Sequence, residues 1–238
     1  MPGSAWQEAL ELVEPYVVRI STPEGSGTGF LFVYSQDRAG CGVATAAHVV
    51  SHAHTWQQPI RIQHYKSGNA VFLKEEDRAI LVNSKFDTAA IVFSKRDLPF
   101  PDTLLPLMPE GKRLMQGVEI AWAGFPAVSP QNLCFFSGRV SAYLDEAGMY
   151  LVDGVAINGV SGGPAFTTAV SEGVTLCGLI SAYLPNMATG EPLPGLCMAA
   201  DVLVLQQIIA AVASVDEAKE HEGPRSADSS TQHSPSGA

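Results

Sequence analysis

The sequence predicts an all-β protein of two antiparallel β-barrels, with one helix before them and one after. Three observations carry that expectation. Short runs of β-branched and aromatic residues recur from Tyr16 to about Ala200, separated by Gly, Ser, Asn, Asp and Lys. The 22 glycines and 16 prolines are scattered through 238 residues without a period, which favours many turns between short elements. A proline-rich crossing, LPFPDTLLPLMPEG, divides the runs into halves of similar length, and no residue-level repeat relates the halves.

The elements follow in order. Ser4 precedes AWQEALELVE, whose Trp6, Ala9, Leu10 and Val13 keep helical spacing until Pro15, so residues 1–15 read as an N-terminal helix. YVVRIS, GFLFVY, GVATAA, IRIQHY, AVFL, AILV and AAIVF then read as strands of a first barrel over 16–98. Residues 99–111 hold Pro99, Pro101, Pro106 and Pro109; proline cannot donate to a sheet ladder, so this is a linker. VEIAWAG, LCFFSGRVSAYL, MYLVDGV, GPAFTTAV, TLCGLISAYL and GLCMAA build a second barrel over 112–200. Asp201 caps a helix over 201–222, with Leu205, Ile208, Ile209, Val212 and Val215 on one face. The polar stretch 223–238 has nothing to bury and reads as a disordered tail.

Composition excludes several function classes. A formal net charge of −10 and no basic cluster give no footprint for phosphate backbones, so no nucleic-acid partner is expected. No apolar run has the length of a membrane span, and the N-terminus lacks the charged and apolar regions of a signal peptide. The expectation is a cytoplasmic protein with no membrane contact. Cys41, Cys134, Cys177 and Cys197 form no C-x-x-C pair and read as reduced, buried thiols, with little weight on a Cys177–Cys197 bridge.

The chemistry centres on NGVSGGPAF, Asn158 to Phe166, where one serine stands among three glycines. This stretch fits both G-x-S-x-G, the elbow of α/β-hydrolases, and the G-x-S-G-G-P loop of trypsin-like proteases. The elbow needs alternating long helices and an acid and histidine after the serine. Only His221 and His233 follow Ser161, and Pro164 would interrupt the elbow's helix. The other template needs His, then Asp, then Ser, and the chain supplies His48 in VATAAHVV and Asp87 in FDTAAIVF.

On these residues the chain resembles a trypsin-like serine protease of the HtrA/DegP type, over about residues 16–200. GSGTGF is similar to the opening of that protease domain, TAAHVV to its histidine block and FDTAAI to its aspartate block. AWAGFPAV with FFSGRVSAY, DGVAINGVSGGPAF and CGLISAYL follow in family order. The resemblance implies a chymotrypsin fold of two six-stranded antiparallel barrels and a serine endopeptidase acting through an acyl-enzyme. It implies Ser161 as nucleophile, His48 as general base and then acid, and Asp87 as the group that orients the imidazole. The N–H groups of Gly159 and Ser161 would bind the oxyanion.

By the same register the primary pocket is walled by Val155, Ala156 and Asn158, by Ser181, Ala182 and Tyr183, and by the segment around Leu196, Cys197 and Met198. No acid lies among them, which favours small or medium apolar residues before the cut; Asp153 and Asp201 stand just outside. Val160 occupies the position where secreted trypsins carry an aspartate, so activation by a new N-terminal ammonium is not expected. About forty residues follow the protease core, too few for the family's PDZ domain. His48, His52 and His54 lack the H-E-x-x-H pattern, and no metal or cofactor is expected. Partners are protein or peptide substrates. The alternative from another class is a silent trypsin-like domain that binds peptides.

Overall fold

A computed structural model describes residues 5–170, 173–185 and 192–221; Ser4 and the tail at 223–238 lie outside them. The first half contains β1 (Val17–Thr22), β2 (Gly25–Tyr34), β3 (Gly40–Ala46), β4 (Ile60–His64), β5 (Ala70–Leu73), β6 (Arg78–Asn83) and β7 (Thr88–Ser94). They form one seven-stranded sheet in the order β5-β4-β1-β2-β3-β7-β6. The second half contains β8 (Glu119–Gly124), β9 (Cys134–Leu144), β10 (Met149–Asp153), β11 (Pro164–Thr167), β12 (Thr175–Pro185) and β13 (Pro192–Asp201). These close into the six-stranded barrel β10-β13-β12-β11-β8-β9. Every ladder among the described strands is antiparallel.

The all-β class is thus met, with one barrel closed and the other half a curved sheet edged by β5 and β6. Arg78, at the start of β6, spans the region between those edges: its guanidinium donates to the carbonyls of Leu73 (2.7 Å) and Gln58 (2.5 Å).

Strand patterning follows from what covers each face. GFLFVY in β2 shows no polar alternation because both its faces are buried. Phe30 and Phe32 join the core that runs into the second barrel, while Leu31 faces the interior of the first sheet with Ile20, Val43 and Ile62. Trp122 and Tyr150 are the largest fully buried side chains of the second barrel.

Three helices complete the described residues: α1 (Ala5–Val13), α2 (Ala47–Thr55) and α3 (Leu203–His221). The first ends in a 3-10 turn over Glu14–Tyr16 carrying Pro15. Although α1 precedes the first sheet, it packs on the second barrel. The Trp6 ring lies 6.1 Å from both Phe135 and Phe166, and its indole N–H donates to Glu119 (3.2 Å). Asp201 accepts the Leu203 N–H (3.0 Å) at the start of α3, the cap expected of it.

Helix α2 was not foreseen. AHVVSHAHT offers only Ala47, Val50 and Ala53 as a buried stripe, and Ala46 supplies no side-chain cap. The missing cap comes from 40 residues away in the chain: Asp87 accepts the N–H groups of Ala47 through its carbonyl and of His48 through its carboxylate, each at 3.0 Å. A remote cap leaves no local trace in sequence.

The four cysteines are free; Cys41, Cys177 and Cys197 are buried. Burial pushes the Cys41 and Cys197 thiols up to about 12, and the Cys177 thiol up as well. Among the described residues no helix is long and apolar enough to cross a membrane.

His64 ties the end of β4 to the exit of α1. One ring nitrogen bonds the Pro15 carbonyl (2.8 Å), and the other faces the Ser67 hydroxyl (3.0 Å) and backbone N–H (3.3 Å). The carbonyl requires a donor and the N–H an acceptor, which defines a neutral imidazole protonated at Nε2. Burial lowers its pKa, against a smaller opposing effect of the Pro15 bond. With the folded value below the ordinary one of about 6.5, the contribution is complete above that pH and is lost as pH falls through the folded value. The thermal midpoint of the parent should therefore exceed that of His64→Phe by less at pH 5.5 than at pH 7.5. A constant or widening difference would remove this role.

Candidate active site

The site is assembled from three turns that meet between the halves. His48 stands in the first turn of α2, immediately after β3. Asp87 precedes β7 with a φ of 43°, a left-handed conformation that Asp and Asn tolerate better than most side chains. Its backbone twist turns both carboxylate oxygens back toward α2. Oδ2 lies 2.8 Å from His48 Nδ1, and Oδ1 accepts the His48 N–H at 3.0 Å. The same Oδ2 accepts a hydrogen bond from the Ser181 hydroxyl of β12 at 2.6 Å. Burial alone would push the Asp87 carboxyl up, but the bonds from His48 and Ser181 together outweigh it and hold the group below the usual carboxylate range. The His48 side chain is 51% exposed, so its outer edge is open to a ligand.

Ser161 lies in the loop between β10 and β11, and its carbonyl accepts the Thr28 N–H at 2.9 Å. The glycines around it are sterically required. A Cβ on Gly162, at φ 84°, would stand 2.1 Å from the Thr28 carbonyl oxygen. One on Gly159, at φ 91°, would stand 2.3 Å from that of Phe125. The turn from Ile157 to Val160 is closed by the Val160 N–H on the Ile157 carbonyl (3.1 Å), and positive φ at its third residue is the type II arrangement. The Asn158 carbonyl is held by the Ala127 N–H at 2.7 Å. In a planar trans peptide the C=O and N–H point in opposite directions, so the Gly159 N–H faces away from Ala127. Among the described residues neither the Gly159 nor the Ser161 N–H donates a hydrogen bond.

Val160 is fully buried in the core shared by both halves. Apolar anchorage holds the loop at the position where an ion pair was not available. Thr28 adds a second anchor that sequence reasoning missed. Its buried hydroxyl donates to the Gly159 carbonyl (2.8 Å) and accepts the Phe125 N–H (3.0 Å). The only signal was a threonine inside GSGTGF, where nothing local announces a partner 131 residues away.

The structure brings His48, Asp87 and Ser181 into direct contact. Among the described residues, no hydrogen bond joins His48 to the Ser161 hydroxyl. Ser181, read from sequence as a pocket wall, has its hydroxyl turned to Asp87. Val155 is half exposed, Ala156 partly buried and Asn158 exposed, whereas Cys197 is fully buried. The side chains of Ala182 and Tyr183 lie outside the described residues. Gly154 is fastened to Gly195 (N–H to carbonyl, 2.8 Å), and a Cβ on it would meet the Trp122 ring at 2.4 Å. His52 and His54 are exposed on α2.

Two packed antiparallel β-units, with the histidine and aspartate on the first and the serine loop on the second, define the chymotrypsin-like class of fold. The trypsin-like peptidase domain matches residues 27–172, and the chain belongs to that family. Among solved structures, the serine endoprotease from Yersinia pestis superposes with a TM-score of 0.64 at 18% identity, covering 90% of this chain and 68% of that one. Deg5 gives 0.64 at 16% identity, covering 87% and 95%. The inactive form of the Rv3671c protease gives 0.59 at 18% identity, covering 90% and 96%. At these identities the likeness is one of fold. No curated protein matches the chain. Family and fold together support a serine protease, whose substrates are proteins or peptides.

Proposed function

We propose that the chain is a serine endopeptidase in which His48, Asp87 and Ser161 form a catalytic triad. The observation that carries this reading is the 2.8 Å bond between His48 Nδ1 and a carboxylate held ionised by three hydrogen bonds. Asp87 thereby fixes the proton on Nδ1 and leaves Nε2 as the basic edge of the ring. Nε2 takes the hydroxyl proton of Ser161 as its oxygen attacks the substrate carbonyl, and returns it to the leaving amine. Water then repeats the sequence on the acyl-enzyme. The Gly159 and Ser161 N–H groups, unspent on other acceptors, receive the developing oxyanion; losing one such donor costs about 3 kcal/mol of transition-state stabilisation. Ser181 acts as a positioning residue on Asp87.

The missing Ser161–His48 hydrogen bond favours a second reading, a silent domain that binds peptides without cleaving them. In unliganded hydrolases that bond is often long and tightens only with substrate. A fluorophosphonate probe decides between the two. Labelling of Ser161, located by mass spectrometry, is the expected result; no labelling of the folded protein would leave the binding reading.

The pocket register supports cleavage after Val, Ala, Leu or Met. Trp122 backs the wall at Gly154, and no carboxylate stands among Val155–Asn158, Ser181 and Leu196–Met198 to pair a buried lysine or arginine. Each methylene well placed there contributes about 1 kcal/mol to discrimination. A peptide-library profile should show apolar residues before the cut, and a profile dominated by Lys or Arg would overturn the pocket assignment while leaving the triad intact.

A further inference from the structure

A second site lies on the seam between the halves, one strand away from the serine loop. Arg19 of β1 is paired in register with Thr28 of β2 on one side and Gln63 of β4 on the other. Cross-strand partners project from the same face of a sheet. Gln63, Arg19 and Thr28 therefore form a row directed at the second half. Thr28 spends its hydroxyl on Gly159 and Phe125. Arg19 has no such partner: its Nε is buried without an acceptor, and among the described residues its guanidinium makes neither a hydrogen bond nor an ion pair.

A cavity of about 100 Å³ opens beside it, lined by Arg19, Gln63, His64, Tyr65, Phe125, Pro130 and Gln131. No acidic side chain lines it, in a chain of net charge −10 where carboxylates outnumber cations. Arg61 donates to Gln63 Oε1 at 2.8 Å, so a second cation stands next to this lining residue. A buried donor left without an acceptor is costly, and a guanidinium fork matches a carboxylate's two oxygens. The rings of Tyr65 and Phe125, 5.9 Å apart, together with Pro130, give an apolar wall for a short carbon stem. One unpaired guanidinium beside neutral amides suits a single negative charge.

We propose that this seam pocket binds a monocarboxylate group, with Arg19 as its counter-charge. The group is either a free small carboxylate or the terminal carboxylate of a bound peptide. The inference does not depend on the proposed triad, because binding is read without any hydrolysis.

Butyrate, acetyl-tetraglycine with a free carboxyl end and its amidated twin serve as probes, by calorimetry on the full chain. Saturable binding of butyrate, weakened about tenfold or more in Arg19→Gln, is the expected result for a free carboxylate. Binding of the acid-ended peptide but not of butyrate or the amidated twin assigns the peptide source. Should Arg19→Gln fail to fold, the Arg19 Nε–H resonance of the parent decides, since it must move with the same dissociation constant. No saturable binding by either acid overturns the proposal. So does equal binding by the amidated peptide, equal affinity in a folded Arg19→Gln, or an unmoved Arg19 resonance.

Discussion

Ser161→Ala is expected to lower kcat on a fluorogenic peptide by roughly 10⁶-fold while leaving the fold intact. The loop does not depend on the hydroxyl. Its carbonyl bond to Thr28, the buried Val160 and the three glycines all remain in the alanine variant. Circular dichroism and the thermal midpoint should therefore match the parent. His48→Ala should cost about as much in rate, because nucleophile and base act as one unit and their losses do not add. A Ser161→Ala protein that kept most of its activity would refute the triad outright.

Asp87→Asn should reduce kcat by about 10⁴-fold. Asparagine has nearly the same shape and tolerates the positive φ of this position, so the substitution isolates the charge. What changes is the proton arrangement. The carboxylate accepts from His48 Nδ1, the His48 N–H and the Ser181 hydroxyl, whereas an amide offers one acceptor oxygen and a donor nitrogen. An amide N–H presented to Nδ1 would move the imidazole proton to Nε2, the edge that must accept the serine proton. The folded pKa of Asp87 is lowered, so its stabilisation is present above the ordinary carboxylate range and is lost as pH falls through the folded value. Urea midpoints of parent and variant should stay apart above pH 5 and converge only as pH falls below about 4. A variant within tenfold of the parent rate would mean that Asp87 only caps α2.

Much of this was legible in the sequence because strand signals are local. Runs such as GFLFVY and AAIVF declare themselves by β-branched and aromatic content. Closure was not, since whether a sheet's edges meet depends on the register of strands far apart in the chain. Helix α2 escaped notice because its cap is supplied by Asp87 and its apolar stripe is only three residues wide. At the site, residue types in order pointed to His48, Asp87 and Ser161, but not to the Thr28 and Ser181 hydroxyls, whose partners lie 131 and 94 residues away. A hydroxyl has no sequence signature for the group it will bond. Arg19 was invisible for the opposite reason: its distinction is the lack of a partner, which appears only in the folded chain.

The docking of α1 sets an order on folding during synthesis. The helix leaves the ribosome before either β-unit, yet its Trp6 has no surface to cover until Glu119, Phe135 and Phe166 have also emerged. Until then its apolar stripe is exposed, and a nine-residue helix without tertiary contacts is marginal in water. Its docking therefore follows the synthesis of β8, β9 and β11 and is a contact of long sequence separation. A nascent chain stalled before residue 166 carries an unsheltered tryptophan, the kind of surface that chaperones and proteases recognise.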